Sequence, residues 1–358
     1  MPVRGTLDIG YWVGWALNMN TRGFKNAYTI PELNYNPLFL YVLYGYGYVM
    51  HTLQNIEENI NYLKIFVLLF DFAPVMLLMW WLNKNGRSFF NGFFILFNIA
   101  YLYNTIYWGQ VDAIHTALIF FAIYLAIEQK LSLSLLLFLL AINTKTQSVF
   151  FLPILGLLWL PSLKGNGRQL LKSLGLLVIA QLLIILPFLI GGTTSHVLNN
   201  YVGVVDFNHG LSMHADNFWY LMMWDSADLP FLTSDQNQWL GFTLKTWGLI
   251  LFFAFATVVL LPLLIKAIVN FLQRTRFSLA GCEHILLTGA LVTLVFFYFP
   301  TQMHERYSHP AMLFMGGYFM LSRRWFMFLL LSFAYVMNLE AVDRSWKMAN
   351  YNILIFDA

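Results

Sequence analysis

Between two nearly unbroken runs of Leu, Phe, Val and Met, the stretch PTQMHERYSHPAM (residues 300–312) sets His304, Glu305, Arg306, Tyr307 and His309 close together. An arginine at the membrane end of an apolar span can snorkel to water along its own stem. Its planar fork can equally grip a phosphate through two parallel hydrogen bonds. The neighbouring carboxylate would orient such a grip, and the imidazole and phenol would add polar contacts beside it.

Other polar groups stand in similarly apolar company. Asp8, in LDIGYWVGWA, precedes Trp12 and Trp15 at helical spacing; Gln110, Asp112 and His115 lie in WGQVDAIH; Lys145 and Gln147 lie in NTKTQ; Asp216 and Asn217 lie in ADNFW. Each has a plain structural alternative. Asp8 can cap the helix that carries the tryptophans, and Asp112 can pair with a neighbouring helix. His115 and His51 can be satisfied interfacial histidines, and Trp219 and Trp224 can form an aromatic belt as well as a stacking surface. Asp71, in VLLFDFAPV, reads as structural, since an unpaired charge at that depth costs at least about 2.5–3.5 kcal/mol.

The elements that must position these groups follow from composition. A chain of 358 residues that is 59% hydrophobic and 10% charged cannot cover a water-exposed globule. It reads as an all-α polytopic membrane protein, because apolar segments near the length that crosses about 30 Å of hydrocarbon recur throughout. The spans are expected near 62–82, 88–104, 108–127, 131–145, 147–160, 170–190, 244–266, 283–299, 307–321 and 325–339. Cys282 is the single cysteine, which excludes an internal disulfide and a multi-cysteine metal site. No metal-ligand spacing is present, so no metal is expected, and nothing suggests nucleic acid as a partner.

Alternate loops divide the charges. One side receives Lys84, Arg87, Lys130, Lys164, Arg168, Lys172, Lys266, Arg274, Arg276, Arg323 and Arg324 against Glu128 and Glu283. That excess makes it the cytosolic side. The candidate residues then all fall on the extracytoplasmic side, where they could converge on one chamber.

Two segments shape this map. LSLSLLLFLLAINTKTQSVFFLPILGLLWL lies between two basic flanks, so it is expected to enter the membrane and return as a hairpin rather than cross once as a long helix kinked at Pro153. The hairpin leaves Asn143, Lys145 and Gln147 below the far interface, where polar groups must face protein or a wet cavity. PLFLYVLYGYGYVMH (37–51) is apolar but short, and its tyrosines suit an interfacial helix. Residues 1–61 therefore read as an extracytoplasmic loop with that helix. Residues 62–358 read as a bundle of about ten spans with a long extracytoplasmic loop near 191–243, the whole forming one domain.

The ordered series D-I-x-x-Y-W-x-x-W-A, N-Y-x-P-L-x-L-Y-x-L, W-G-Q-x-D-A, K-x-Q-x-x-x-x-L-P, N-x-W and H-E-R-Y-x-x-P resembles membrane glycosyltransferases of the GT-C superfamily, nearest to bacterial proteins related to GPI mannosyltransferase II. The resemblance spans most of the chain. It implies a GT-C-like transmembrane bundle in a bacterial inner (plasma) membrane with an extracytoplasmic active site. It also implies a helix ahead of the catalytic loop, which this sequence, opening directly on that loop, is expected to lack.

The implied reaction moves a sugar, a hexose such as mannose, from a polyprenyl-phosphate carrier to a hydroxyl of a glycan, glycolipid or protein, with inversion. The lipid-linked sugar is a substrate, and no cofactor is implied. By position, Asp8 takes the role of general base, accepting the acceptor's proton. Negative charge growing on the lipid phosphate calls for cations and donors, for which Arg306, Lys145 and His304 are the candidates. Asp112, Gln110, Gln147, Asn217, Glu305 and Tyr307 are candidates for substrate contact. Two alternatives stand beside this expectation: a flippase or transporter of lipid-linked substrates, although two similar halves with broken helices are not evident, and an inactive membrane scaffold.

Overall fold

The computed structural model describes residues 7–30, 33–163, 167–203, 209–223, 229–277 and 279–348, with the side chains of Leu7, Asp8, Leu163, Leu279 and Ala280 outside that description. The architecture is helical. In chain order the α-helices are α1 (Leu7–Arg22), α2 (Pro37–Met50), α3 (Leu53–Asn59), α4 (Tyr62–Lys84), α5 (Asn91–Leu96), α6 (Ile99–Tyr103), α7 (Asp112–Ile127) and α8 (Leu131–Thr144). They continue as α9 (Leu152–Leu163), α10 (Gly167–Ile190), α11 (Thr194–Gly203), α12 (Phe218–Met222), α13 (Leu244–Gln273), α14 (Leu279–Tyr298), α15 (His309–Ser322) and α16 (Trp325–Asp343). Two-residue strands β1 (Ser212–Met213), β2 (Gln238–Trp239), β3 (Phe242–Thr243) and β4 (Met303–His304) complete the order.

Among the described residues, five helices are long and apolar enough to cross a membrane: Tyr62–Lys84, Gly167–Ile190, Leu244–Gln273, Gly281–Tyr298 and Trp325–Asp343. They mark a multi-pass membrane protein. The other five expected spans are shorter or broken. Helices α7, α8, α9 and α15 have 16, 14, 12 and 14 residues, which rise only about 18–24 Å. The segment expected at 88–104 splits into α5 and α6, because the Asn98 side chain accepts the Tyr101 N–H (3.0 Å) and starts a new helix instead of continuing the old one.

The chain forms two compact units, Met1–Asp71 with Thr105–Val149 and Trp159–Phe207, and Phe72–Asn104 with Phe150–Leu158 and Asn208–Ala358. In the first, α7 is buried without a break from Asp112 to Phe120, as suits a helix that is apolar on every side. A tight turn with Gln129 in the left-handed region (φ 58°) brings α8 back beside it, where Ser134 Oγ donates to the Ala122 carbonyl (2.7 Å). The 3₁₀ turn Thr146–Phe151 follows α8. Trp159 then lies against α8, its Nε1 donating to Ser134 Oγ (2.9 Å) and its ring edge-on to Phe138. A continuous helix would carry Trp159 roughly 37 Å beyond Ser134, so the segment is a hairpin.

Helix α1 packs on α2 through Trp12 on Phe39, and on the segment just ahead of α2 through Trp15 on Tyr35. The tyrosines of α2 are largely spent inside the unit: Tyr41 donates to Ile184 O of α10, Tyr46 to Ile56 O, and Tyr44 packs on Phe24. Only Tyr48 among them is mainly exposed.

In the second unit α15 is buried from His309 to Leu321 and packs against α14, α16 and α5. The later part of the loop expected at 191–243 is built onto this unit. Strand β1 pairs in parallel with β4, matching Ser212 to Met303 and Met213 to His304. The Gln302 N–H bonds Leu211 O (3.1 Å). Strands β2 and β3 form a hairpin leading into α13, whose first turn is capped by Thr243.

Candidate functional site

The first unit's polar centre sits at the tip of the hairpin. Asp112 begins α7, where the helix dipole favours a negative charge. Lys145, at the end of α8, turns the backbone into an extended conformation (φ −152°, ψ 121°) and sets its Nζ on Asp112 Oδ1. The same oxygen lies 3.6 Å from His115 Nε2, while His115 Nδ1 faces Ser148 Oγ at 3.3 Å. Asp112 and His115 are buried, and the Lys145 side chain keeps 18% of its surface exposed. The ion pair is thus largely enclosed, with its exposed surface on the Lys145 side. Gln110 is buried and Gln147 half-buried beside these residues in sequence.

Gly109 connects this centre to α1. It takes φ +77°, and a Cβ there would come within 2.5 Å of Ile9 Cδ1 and 3.2 Å of Lys64 Cε. Only glycine satisfies both the left-handed backbone and the close approach. Lys64 in turn donates to Ile106 O (2.8 Å), fixing the backbone ahead of the W-G-Q-V-D turn. Ile9 directly follows Asp8, so the helix bearing the expected base packs against the turn that leads into α7 and Asp112. Asp8 lies within α1 rather than ahead of it; its side chain is outside the described residues.

A wall of carboxamides surrounds the hairpin tip. Asn36 Nδ2 donates to Ile142 O (2.6 Å) and to Thr146 Oγ1 (2.9 Å), and Asn200 Nδ2 to Asn36 Oδ1 (3.1 Å). Tyr201 OH donates to Asn143 Oδ1 (2.5 Å), and Asn143 Nδ2 to Gln181 Oε1 (2.8 Å). Sequence reasoning missed Gln181, Asn200 and Tyr201. The signal was there for Gln181, a polar residue inside the long apolar helix α10, where such groups are expensive and usually functional.

The second unit's centre is the HERY segment, a 3₁₀ turn over Glu305–Ser308. Glu305 is buried and accepts from Arg306 (2.7 Å), while His304 Nδ1 lies 3.7 Å from its other oxygen. Burial alone would push the Glu305 carboxyl up; the Arg306 charge and the His304 contacts outweigh it and hold it at about 2. The Arg306 side chain keeps only 15% of its surface exposed and sits over the Tyr307 ring, so it is folded in rather than extended to water. Tyr307 also meets the His304 ring edge-on.

Asn217 and Trp219 belong to the frame of this unit. The Asn217 Oδ1 caps α12 by accepting the Trp219 N–H, and its Nδ2 reaches Phe297 O. Trp219 is buried with its Nε1 on Phe299 O (2.9 Å), so its indole belongs neither to an interfacial belt nor to an open stacking surface. Trp224 lies outside the described residues. Asp216 donates its N–H to Asn338 Oδ1. His309 is buried and stacked on Tyr101, and in the first unit Asp71 accepts from Thr105 Oγ1 (2.7 Å), as a structural carboxylate should.

Two further polar clusters in the second unit escaped the sequence reading. The Tyr103 hydroxyl lies within hydrogen-bond reach of both Glu340 and Asp343. Asp235, buried in the later loop, accepts from Thr301 Oγ1 (2.9 Å) and Gln302 Nε2 (2.6 Å) and so anchors the start of the PTQMHERY segment. Among the described residues no group of three or more His, Cys, Asp or Glu side chains is arranged to hold a metal ion.

The candidates therefore divide between the units. Asp8, Gln110, Asp112, Lys145 and Gln147 belong to the first; Asn217, His304, Glu305, Arg306 and Tyr307 belong to the second. No protein-family model matches the chain, and no curated protein matches it.

Proposed function

We propose that this chain is an inverting glycosyltransferase of the GT-C kind, moving a hexose such as mannose from a polyprenyl-phosphate donor to an acceptor hydroxyl at the extracytoplasmic face of a bacterial inner membrane. The observation that carries this reading lies in the first unit. The Asp8 helix meets the W-G-Q-V-D turn through Ile9 and Gly109, and that turn meets the hairpin tip through Asp112 and Lys145. Three motifs far apart in sequence thereby come together within one unit, which supports a shared site. In the proposed bundle, α7, α8, α9 and α15 count with the long helices toward about ten membrane segments.

Each residue has a defined task. Asp8 accepts the acceptor's proton as the new bond to the anomeric carbon forms and the bond to the phosphate oxygen breaks, with the electron pair leaving on the lipid phosphate. Lys145, neutralised by Asp112 at rest, turns its open face to that phosphate. Arg306, with its guanidinium held by Glu305, makes the same kind of contact with an anionic oxygen, aided by His304. Asp112, Gln110 and Gln147, with the carboxamide wall, bind sugar or acceptor hydroxyls.

The test uses the purified chain in liposomes with a polyprenyl-phosphate donor carrying a labelled hexose and a membrane extract as acceptor. Labelled product that requires Asp8 is expected. Movement of the donor across the bilayer without transfer would replace this reading by a flippase, and neither activity would leave a scaffold.

A further inference from the structure

Away from its own HERY centre, the second unit has an open cavity of about 510 Å³ where α4 ends, α14 begins and α15 turns into α16. Arg87, Arg323 and Arg324 line it, against the single carboxylate of Glu283. Arg87 reaches Glu283 Oε1 (3.6 Å) and the Leu321 carbonyl (3.3 Å), which holds its guanidinium at the wall. Arg324 donates to Tyr318 OH (3.3 Å). Among the described residues neither Arg323 nor Arg324 forms an ion pair with a carboxylate. Arg323 also closes α15 with φ 60°, a left-handed position at which glycine or asparagine is the easy choice. An arginine is carried there despite the backbone cost.

An apolar surface starts at the rim of this cavity. Helix α16 exposes Trp325, Phe326, Met327, Leu329 and Leu330 immediately after Arg324. A cluster of guanidinium groups at the end of an exposed apolar helix matches a phosphate at the head of acyl chains. The geometry points to a phosphate-ester site here, occupied by the headgroup of an anionic membrane lipid whose chains lie along α16. The site is independent of the glycosyl-transfer reading, and it lies on the side of the bundle that the lysine and arginine bias makes cytosolic.

Native mass spectrometry of the full chain, stripped of lipid in a neutral detergent, tests this with three probes: phosphatidylglycerol, phosphatidylcholine and inorganic phosphate. Phosphatidylglycerol should bind at one site at least about tenfold tighter than phosphatidylcholine, and inorganic phosphate should compete only at far higher concentration. Arg323→Asn, which suits the left-handed backbone, and Arg324→Gln should each weaken phosphatidylglycerol binding roughly fivefold. Arg274→Gln and Arg276→Gln, exposed basic positions outside the cavity, should leave it unchanged.

Equal losses in the cavity and control variants would reduce the effect to diffuse surface charge and overturn the site. Equal binding of the two lipids would do the same, and inorganic phosphate binding as tightly as lipid would make this a soluble-phosphate site instead. If Arg324→Gln melts early in detergent, because it loses its bond to Tyr318, Arg323→Asn decides the outcome.

Discussion

Trp159 and Ser134, 25 positions apart, share a hydrogen bond of 2.9 Å from the indole Nε1 to the hydroxyl oxygen. That bond closes the helical hairpin, in which the chain turns back on itself. Single cysteines replacing Lys130 and Arg168 in a Cys282→Ser background should label from the same, cytosolic side with a membrane-impermeant reagent. Labelling from opposite sides would replace the hairpin by a crossing. Trp159→Phe, which removes the donor, should cost about 1 kcal/mol of stability in detergent.

The buried pair of Asp112 and Lys145 should reveal itself through non-additivity. Asp112→Asn or Lys145→Met alone leaves a buried charge without its counter-ion and should destabilise by about 3 kcal/mol, whereas the double variant should be closer to wild type than either single variant. Thermal unfolding in detergent measures this. Additive losses would mean that the two groups do not depend on each other.

Glu305 predicts a pH signature in the second unit. Its carboxyl is held at about 2 instead of the usual 4.5, so the folded state favours the ionised form. The stabilisation is fully present above about pH 4.5 and is lost as pH falls toward 2. The stability gap between wild type and Glu305→Gln should therefore be widest above pH 4.5 and shrink through that window; a gap independent of pH would remove the ionic account. Arg306→Lys keeps the charge but not the planar fork, and should lose most of the proposed transferase activity, whereas a residue that only reaches for water would tolerate lysine.

Gly109 and Asp8 separate structure from chemistry in the first unit. Gly109→Ala should destabilise by more than about 1 kcal/mol, through both its positive φ and the clash with Ile9. Adding Ile9→Ala should recover only the steric part. Asp8→Asn should leave unfolding unchanged and cut transfer by roughly 10² to 10⁴. Normal turnover in Asp8→Asn, with loss in Asp112→Asn, would move the base to the W-G-Q-V-D turn.

The long apolar helices were legible in the sequence because hydropathy is a local property: α4, α10, α13, α14 and α16 lie where uninterrupted apolar runs of sufficient length occur. The polar groups of the WGQVDAIH, NTKTQ and HERY segments were legible for the same reason, since an Asp, Lys or Arg among leucines announces itself without knowledge of its neighbours, whereas Asp235, Glu340 and Asp343 were not singled out. The hairpin could be anticipated from its like-charged flanks and from arms too short to cross. Partners could not be read this way. That Lys145 would spend its charge on Asp112, that residues 212–213 would pair with 303–304, and that Asn98 would break an apolar stretch by capping α6 depend on which surfaces close against each other. Ile9 over Gly109 shows the reason most plainly. A glycine's missing side chain marks only a possible close approach, and whether a distant isoleucine fills that space is decided by steric fit in the folded chain.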